Sequence, residues 1–336
     1  MNNKKIYPFT AIVGQTNMKK ALIYNIINPS IGGILIRGEK GTAKSTAVRA
    51  IADLLEKRQQ VKGCIFNCDP LDETHQCEGC KKLDNKETAM EKMKVIDLPV
   101  NATEDRLVGT IDIEYAITNG KKKIEPGILA NANRNILYID EVNLLDDHLV
   151  DVLLDAAAMG VNTIEREGIS YSHPSKFILV GTMNPEEGDL RPQLLDRFGL
   201  VVDVCGEEDL KDRKEIVKRR LSFEHDSDKF SEKYVSSQEE LKNQILKAKS
   251  ILEKVTFSDE IIELAAKLSI ELKVDGHRAD ITMIKTAITK AAFEGRMLVE
   301  KDDLIDAACL VLPHRMRKNP FEEGVLSFER IKEIVG

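Results

Sequence analysis

Long apolar runs are missing from this chain of 336 residues. None approaches the roughly 18 residues that would mark a bilayer-crossing helix, so a membrane span is excluded. No block of lysine and arginine interleaved with aromatics occurs either; aromatic residues make up 5% and tryptophan is absent. With a net charge of −7 and a pI near 5.6, the phosphate backbone of a nucleic acid finds little electrostatic support, and nucleic acid is not the expected substrate. The basic start Met1-Asn2-Asn3-Lys4-Lys5 leads to no apolar signal core, because Tyr7, Pro8 and Thr10 interrupt it, so a soluble cytoplasmic protein is expected. Cysteine is scarce, at positions 64, 68, 77, 80, 205 and 309. In a reducing compartment the first four suggest metal or redox chemistry more than structural disulfides.

What the chain does have is bulk and punctuation. Its length, with 42% hydrophobic residues, suits a full core plus a smaller one, hence two domains. The apolar run Gly33-Ile34-Leu35-Ile36 leads into Gly38-Glu39-Lys40-Gly41-Thr42-Ala43-Lys44-Ser45-Thr46, and a helical pattern with Val48, Ile51, Leu54 and Leu55 leaves it. A strand that stops at a glycine turn and restarts as a helix aims backbone N–H groups and the positive helix end at one spot, which suits a triphosphate. Lys44 then reaches the β/γ-phosphates and the Ser45 hydroxyl binds Mg²⁺. Ala43 stands where the usual spacing has a second glycine; as the smallest replacement, it strains phosphate binding without excluding it.

Ile136-Leu137-Tyr138-Ile139-Asp140-Glu141 reads as a buried parallel strand whose C-terminal end opens into an active site. Carboxylates at that edge need water, a cation or a metal, since burying them unpaired is costly. In a nucleotide site Asp140 holds the Mg²⁺ shell and Glu141 polarises the attacking water. Phe177 to Val180 is a further buried strand, and Asn184 beyond it has an amide suited to holding water beside a γ-phosphate.

The rest of the pattern sets the architecture. Residues 6–30 hold an amphipathic helix through Met18, Leu22 and Ile26, which either closes over a nucleotide base or simply packs. Short strands are expected at Lys94–Pro99 and Leu200–Val204, a helix start at Thr103, a hairpin or helix–hairpin unit over 110–125 with Asn119-Gly120 and Lys121 to Lys123 at its tip, and a hairpin over 161–172 turning at Glu167-Gly168. Strands alternating with helices predict an α/β nucleotide-binding domain over 1–222, its parallel sheet lying between helices. A charged, serine-rich stretch from Ser222 to Ser237 reads as a linker or surface helix, and a small all-helical domain fills the remainder of 223–336. Gly276-His277 breaks that helical pattern and puts Arg278 at a helix start, while His314, Arg315, Arg317 and Lys318 read as a basic patch on a solvated surface or at a subunit contact.

Within the first domain a polar insertion over 62–94 carries Cys64, Cys68, Cys77 and Cys80, with His75 among them. The pair Cys77-Glu78-Gly79-Cys80 has the spacing that lets two thiolates grip one tetrahedral metal, and Cys64 and Cys68 can complete the set. Zn²⁺, a regulatory dithiol or iron–sulfur site, and free thiols are the alternatives.

Phosphate loop, Asp140-Glu141, strand-end Asn184, a following arginine helix and a helical lid with Arg278 stand in the order used by AAA+ ATPases. The resemblance sharpens to the ATPase I subunit family of magnesium chelatase, in the chelatase/MoxR-like branch. It is carried by Ala102-Thr103-Glu104-Asp105-Arg106, Glu125-Pro126-Gly127-Ile128-Leu129-Ala130, Asp140-Glu141-Val142-Asn143-Leu144-Leu145-Asp146, Glu165-Arg166-Glu167-Gly168, Gly181-Thr182-Met183-Asn184-Pro185-Glu186-Glu187-Gly188 and Arg191-Pro192-Gln193-Leu194-Leu195-Asp196-Arg197-Phe198. It implies a helical lid after an α/β core with β-hairpin inserts. The implied activity is an ATP- and Mg²⁺-dependent motor, a homo-oligomeric and hexameric ring that works with D-type and H-type subunits to insert magnesium or cobalt into a tetrapyrrole. Lys44, Ser45, Asp140, Glu141 and Asn184 then serve the nucleotide of their own subunit, Arg197 is the arginine finger with Arg191 as second candidate, and Arg278 senses nucleotide from the lid. A MoxR-like chaperone that remodels or metallates a protein partner is the alternative function.

Overall fold

The computed structural model describes residues 5–39, 41–112, 115, 118, 124–166, 169–316 and 328–336. In chain order its main elements are α1 (Thr16–Ile27), β1 (Ile34–Gly38), α2 (Lys44–Leu54), β2 (Val95–Leu98), β3 (Ile136–Ile139), α3 (Asp147–Met159), β4 (Ile178–Met183) and β5 (Leu200–Val204). Helices α4 (Leu210–His225), α5 (Val235–Ile251), α6 (Asp259–Glu271), α7 (Arg278–Phe293), α8 (Lys301–Val311) and α9 (Phe328–Val335) follow. The chain forms two compact units, one of residues 1–54 with 191–336 and one of residues 55–190.

In the first unit β1 and β5 pair in parallel, Ile34 opposite Leu200 through Gly38 opposite Val204. Ile34, Leu35 and Ile36 are fully buried, as a strand covered on both faces requires. Arg37 binds Asp203 across the pair with two hydrogen bonds of 2.8 Å. The helices of this unit pack apolar stripes together, including Leu268, Met283, Ala287, Leu304 and Ile331. Asp303 is fully buried, yet its carboxylate is satisfied: Arg296 reaches it at 2.6 and 2.7 Å, and the Glu300 N–H donates at 2.9 Å.

The stretch expected as a linker or surface helix, 222–237, lies in helices: the end of α4, Ser227–Glu232 and the start of α5. Asp226 accepts from the N–H groups of Asp228 and Lys229, both at 3.1 Å, and starts the short middle helix. Phe230 anchors it by packing against Tyr7, Phe223 and Tyr234.

The second unit holds β2, β3 and β4, all parallel, with β3 in the middle: Ile136 pairs with Val95 on one side and Ile178 on the other. Every residue of β3 and β4 is buried. Antiparallel pairs decorate these strands. Arg58–Val61 pairs with Thr88–Glu91 and spans the cysteine insertion. Gly109–Ile111 pairs with Ile124–Pro126, and Val161–Arg166 with Ile169–Pro174. The hairpin expected over 161–172 is thus present, and the ends of the hairpin or helix–hairpin unit expected over 110–125 pair with each other; the tips, Asn119-Gly120, Lys121 to Lys123 and Glu167-Gly168, lie outside the described residues. A short helix, Glu104–Val108, begins where expected, its N–H at Arg106 capped by the Thr103 hydroxyl at 3.4 Å.

Candidate active site

Strand β1 delivers the chain to the phosphate loop, and the fold constrains each glycine differently. At Gly38 an added Cβ would sit 2.0 Å from the Val204 carbonyl oxygen of β5, so the closeness of the two strands demands glycine. Gly41 has open space around it but a φ of +86°, which glycine adopts without penalty. Ala43 has a φ of 61°, in the left-handed region. That conformation is a backbone strain worth about 1–2 kcal/mol for an L-residue, separate from the strain on phosphate binding expected from the sequence.

Within the loop the Thr42 hydroxyl donates to the Glu39 carbonyl at 2.8 Å. The Lys44 ammonium curls over the same turn, donating to the carbonyls of Gly38 and of Glu39, the latter at 3.2 Å. Ser45 is exposed in the first turn of α2, beside Thr46. Backbone N–H groups in a helix's first turn lack intrahelical acceptors and sit at the positive end of the dipole. Lys40 lies outside the described residues. Ala43→Gly should relieve the left-handed strain, raising unfolding stability by up to about 1 kcal/mol without weakening ATP. A thermal melt with and without nucleotide checks this, and a loss of both stability and affinity would mean that Ala43 is not strained.

In the second unit the end of β3 turns outward at Asp140. Asp140 is exposed, and its Oδ1 accepts from the Thr182 hydroxyl at 2.7 Å and the Tyr138 hydroxyl at 3.0 Å. Both donors fall on one oxygen, which leaves Oδ2 as the face suited to a hydrated cation; the donor set fits Mg²⁺, a hard ion that keeps its waters. Glu141, next in line, has a φ of 56°, and its N–H donates to the Thr182 Oγ1 at 3.2 Å. A glutamate held in the left-handed region is a local cost that the neighbouring β4 residue supports. Asn184 follows β4, is 6% exposed, and its Oδ1 caps the turn at Glu186 N at 3.3 Å. The sequence did not single out Thr182 or Tyr138; a threonine inside the apolar run Phe177–Met183 was the available signal.

The arginines belong to the first unit. Arg191, exposed, leads through Pro192 into the short helix Pro192–Leu195, and Arg197 follows on a turn, partly buried. Behind them Phe198 is fully buried, and a Cβ on Gly199 would meet the Ile31 carbonyl oxygen at 2.1 Å. Arg278 starts α7 as expected and pairs with Asp196 at 2.9 Å.

One reading needs correcting. Arg315 is not part of a solvated patch: it is 8% exposed and binds Asp196 Oδ1 at 3.0 Å. Its remaining N–H groups donate to the carbonyls of Phe198 at 2.6 Å, Asp196 and Gly199 at 3.1 Å, and Val311 at 3.0 Å. A planar fork of five donors can satisfy that many acceptors at once, whereas a surface charge would not seek them. His314 lies alongside, its Nε2–H donating to the Phe198 carbonyl at 3.2 Å; burial, then Arg315, pushes its pKa well below 6.5 and keeps it neutral. Arg317 and Lys318 lie outside the described residues.

A loop shaped for a triphosphate, in a chain that ends in a bundle of helices, is the organisation of an AAA+ ATPase. Residues 262–334 match the family model of the AAA lid domain, and residues 8–194 match that of magnesium chelatase, subunit ChlI. The chain belongs to the magnesium chelatase ChlI family and is an ATPase subunit of that kind. It is 59% identical to the magnesium-chelatase subunit ChlI homolog of Methanocaldococcus jannaschii over 98% of this chain and 91% of that one. The magnesium-chelatase 38 kDa subunit of Acidiphilium rubrum is 48% identical over 95% and 94% of the two chains. A cryo-EM-based structure of the complex between subunits BchI and BchD of magnesium chelatase matches 98% of this chain and 99% of that chain at 41% identity, with a TM-score of 0.57. A crystal structure from Cytophaga hutchinsonii, 19% identical with a TM-score of 0.64 over 97% of this chain and 91% of that one, shares the fold. Among the described residues no helix is long and apolar enough to cross a membrane.

Proposed function

We propose that this chain is the ATP-hydrolysing motor of a magnesium-chelatase-type complex, driving insertion of magnesium into a tetrapyrrole. The observation that carries the reading is the loop itself, where Lys44 is curled over Gly38 and Glu39 at the start of α2, placing a cation and a helix's free N–H groups together. Gly38 to Thr46 hold the phosphates of ATP, and Ser45 and Asp140 hold its Mg²⁺. When bound, that ion neutralises phosphate charge. Glu141 accepts a proton from, or orients, the attacking water, and Asn184 steadies that water.

Residues 1–222 act as the nucleotide-binding domain and 223–336 as the lid, whose Arg278 reads the nucleotide state; the lid-family match over 262–334 supports this division. The chain assembles as a hexameric ring, so that Arg197 completes a neighbour's site. Its partners are a D-type subunit, as in the BchI–BchD complex, and a porphyrin-binding H-type subunit. Of the metals expected from the sequence, Mg²⁺ belongs to the nucleotide, and Zn²⁺ belongs elsewhere, at the four cysteines.

The test is reconstitution. The chain with ATP and Mg²⁺ should hydrolyse ATP alone, and metalloporphyrin should form, by absorbance, only when D-type and H-type subunits are added. ATP hydrolysis with no metallated porphyrin under any combination of partners, with magnesium or cobalt, would overturn the chelatase reading and leave a protein-remodelling motor.

A further inference from the structure

The insertion over 62–94 is not used by the nucleotide chemistry, yet it gathers four cysteines in one place in the second unit. Two short loops converge there. Gly63, with a φ of +76°, and Asn67, with a φ of 48°, turn the chain so that Cys64 and Cys68 face the same way. The loop is closed where the Val61 N–H donates to the Cys68 carbonyl at 3.0 Å. The second loop opens the single-turn helix Glu78–Lys81, with Cys77 just before it and Cys80 inside it.

The four sulfurs all lie within 4.8 Å of one another, with Cys64 and Cys77 at 3.9 Å. Zn–S bonds of about 2.3 Å place the corners of a tetrahedral tetrathiolate about 3.8 Å apart. The separation at Cys64 and Cys77 is thus that of two ligands on one ion. Sulfurs this close cannot surround a cluster of several irons. Cys68, Cys77 and Cys80 are 0, 6 and 4% exposed, so solvent does not compete at three of the corners. The Cys77 N–H donates to the Cys68 sulfur at 3.2 Å, the kind of outer hydrogen bond that stabilises a bound thiolate.

We propose that Cys64, Cys68, Cys77 and Cys80 bind one Zn²⁺ as a closed structural tetrathiolate, and that this site sets the position of the 161–174 hairpin. The coupling runs through Phe66, which sits between Cys64 and Cys68. Its ring stacks on His173 with centroids 4.6 Å apart, and it lies 6.2 Å from Tyr171, both on the hairpin's second strand. The Phe66 carbonyl accepts from Asn133 at 2.6 Å. His173 is in turn held by Asn162 at 2.9 Å on the first strand, and burial lowers its pKa, keeping the stacked ring neutral. Next to the site Arg134 ties Asp69 at 2.6 Å and the Gln59 carbonyl at 2.7 Å. Metal and hairpin therefore share one packed layer. Ligands of a tetrahedral ion cannot move separately, so Phe66 moves only if the ion leaves.

The full-length protein, purified without chelator, should contain one zinc per chain by elemental analysis, released when the thiols are titrated with a mercurial. Cobalt(II) loading should give the intense visible bands of a tetrahedral sulfur-ligated ion. Cys64→Ser and Cys77→Ser should lose the zinc; Cys205→Ser and Cys309→Ser should keep it. On zinc removal, hydrogen exchange should speed up over 161–174 and stay unchanged over 38–46. Metal-free protein whose four thiols react freely, iron in place of zinc, a disulfide between any two of the four in fresh protein, or a cobalt spectrum of octahedral type would each overturn the site. Zinc at one per chain with an unaltered hairpin after its removal would overturn the coupling. None of these readouts requires ATP hydrolysis, so they stand or fall separately from the chelatase reading.

Discussion

An Arg197→Ala chain is expected to bind ATP as the parent does and to hydrolyse it about 10³- to 10⁵-fold more slowly, the range an arginine finger supplies. The reasoning starts from the mount. Arg197 follows a single-turn helix opened by Pro192, and the residues around it are held from behind: Phe198 buried, Gly199 without room for a side chain, and Asp196 paired with both Arg278 and Arg315. A catalytic cation needs this stiffness, because a misplacement of about 1 Å can cost about 10²-fold. Removing the guanidinium beyond Cβ leaves the mount intact, so folding and nucleotide binding should survive. Because the finger is proposed to act on a neighbour, a mixture of Arg197→Ala and Lys44→Ala chains should recover part of the turnover that neither has alone. The Lys44→Ala subunit supplies the arginine, and the Arg197→Ala subunit supplies the nucleotide. Turnover near the parent rate in Arg197→Ala would move the role to Arg191, which stands exposed at the start of the same helix.

The same segment shows what sequence can and cannot reveal. The strands were legible because a parallel strand buried on both faces is a run of apolar residues, and β1, β4 and β5 open on such runs, Ile34–Ile36, Ile178–Val180 and Leu200–Val202, while β3 is one throughout. Lys44 and Ser45 were legible because phosphate binding fixes their spacing to the glycines. Arg315 was not, since a charged residue between His314 and Met316 has the local look of surface; its burial depends on Asp196, 119 positions away, and on carbonyls that β5 and its approach leave unpaired. The helices at 210–232 were half legible. Their apolar content is low because they bury few residues, and the evidence for them was the capping aspartates Asp209 and Asp226. Cysteine spacing suggested a metal but could not say that the loop at 64–68 folds onto the one at 77–80, because nothing local fixes the path of the residues between. Tyr138 and Thr182 were missed for a similar reason: each reads as a strand residue, and only the pairing of β3 with β4 brings both hydroxyls to Asp140.

Glu141→Gln should leave ATP binding within a few fold of the parent and lower hydrolysis by about 10²- to 10⁴-fold, the usual worth of a positioned general base. The substitution is nearly isosteric, and two of the contacts that hold residue 141 are made by its backbone. Its N–H donates to Thr182 and its carbonyl accepts from Leu144 at 2.9 Å, so the left-handed turn survives the change. Asp140 also keeps its two donors, and the cation of the bound nucleotide keeps its carboxylate. What disappears is the anionic acceptor for a proton from water, which an amide cannot replace. The expected signature is a chain that holds ATP for long enough to be isolated with it, and that forms the assembled ring with ATP but not with ADP. Asp140→Asn separates the two roles: it removes charge from the cation's side, so it should weaken Mg²⁺-dependent ATP binding as well as turnover. If Glu141→Gln weakens ATP as much as Asp140→Asn does, Glu141 is a ligand to the ion rather than the base; if it hydrolyses ATP at the parent rate, the base lies elsewhere. Equilibrium binding of ATP with and without Mg²⁺, beside single-turnover hydrolysis for both variants, separates these outcomes.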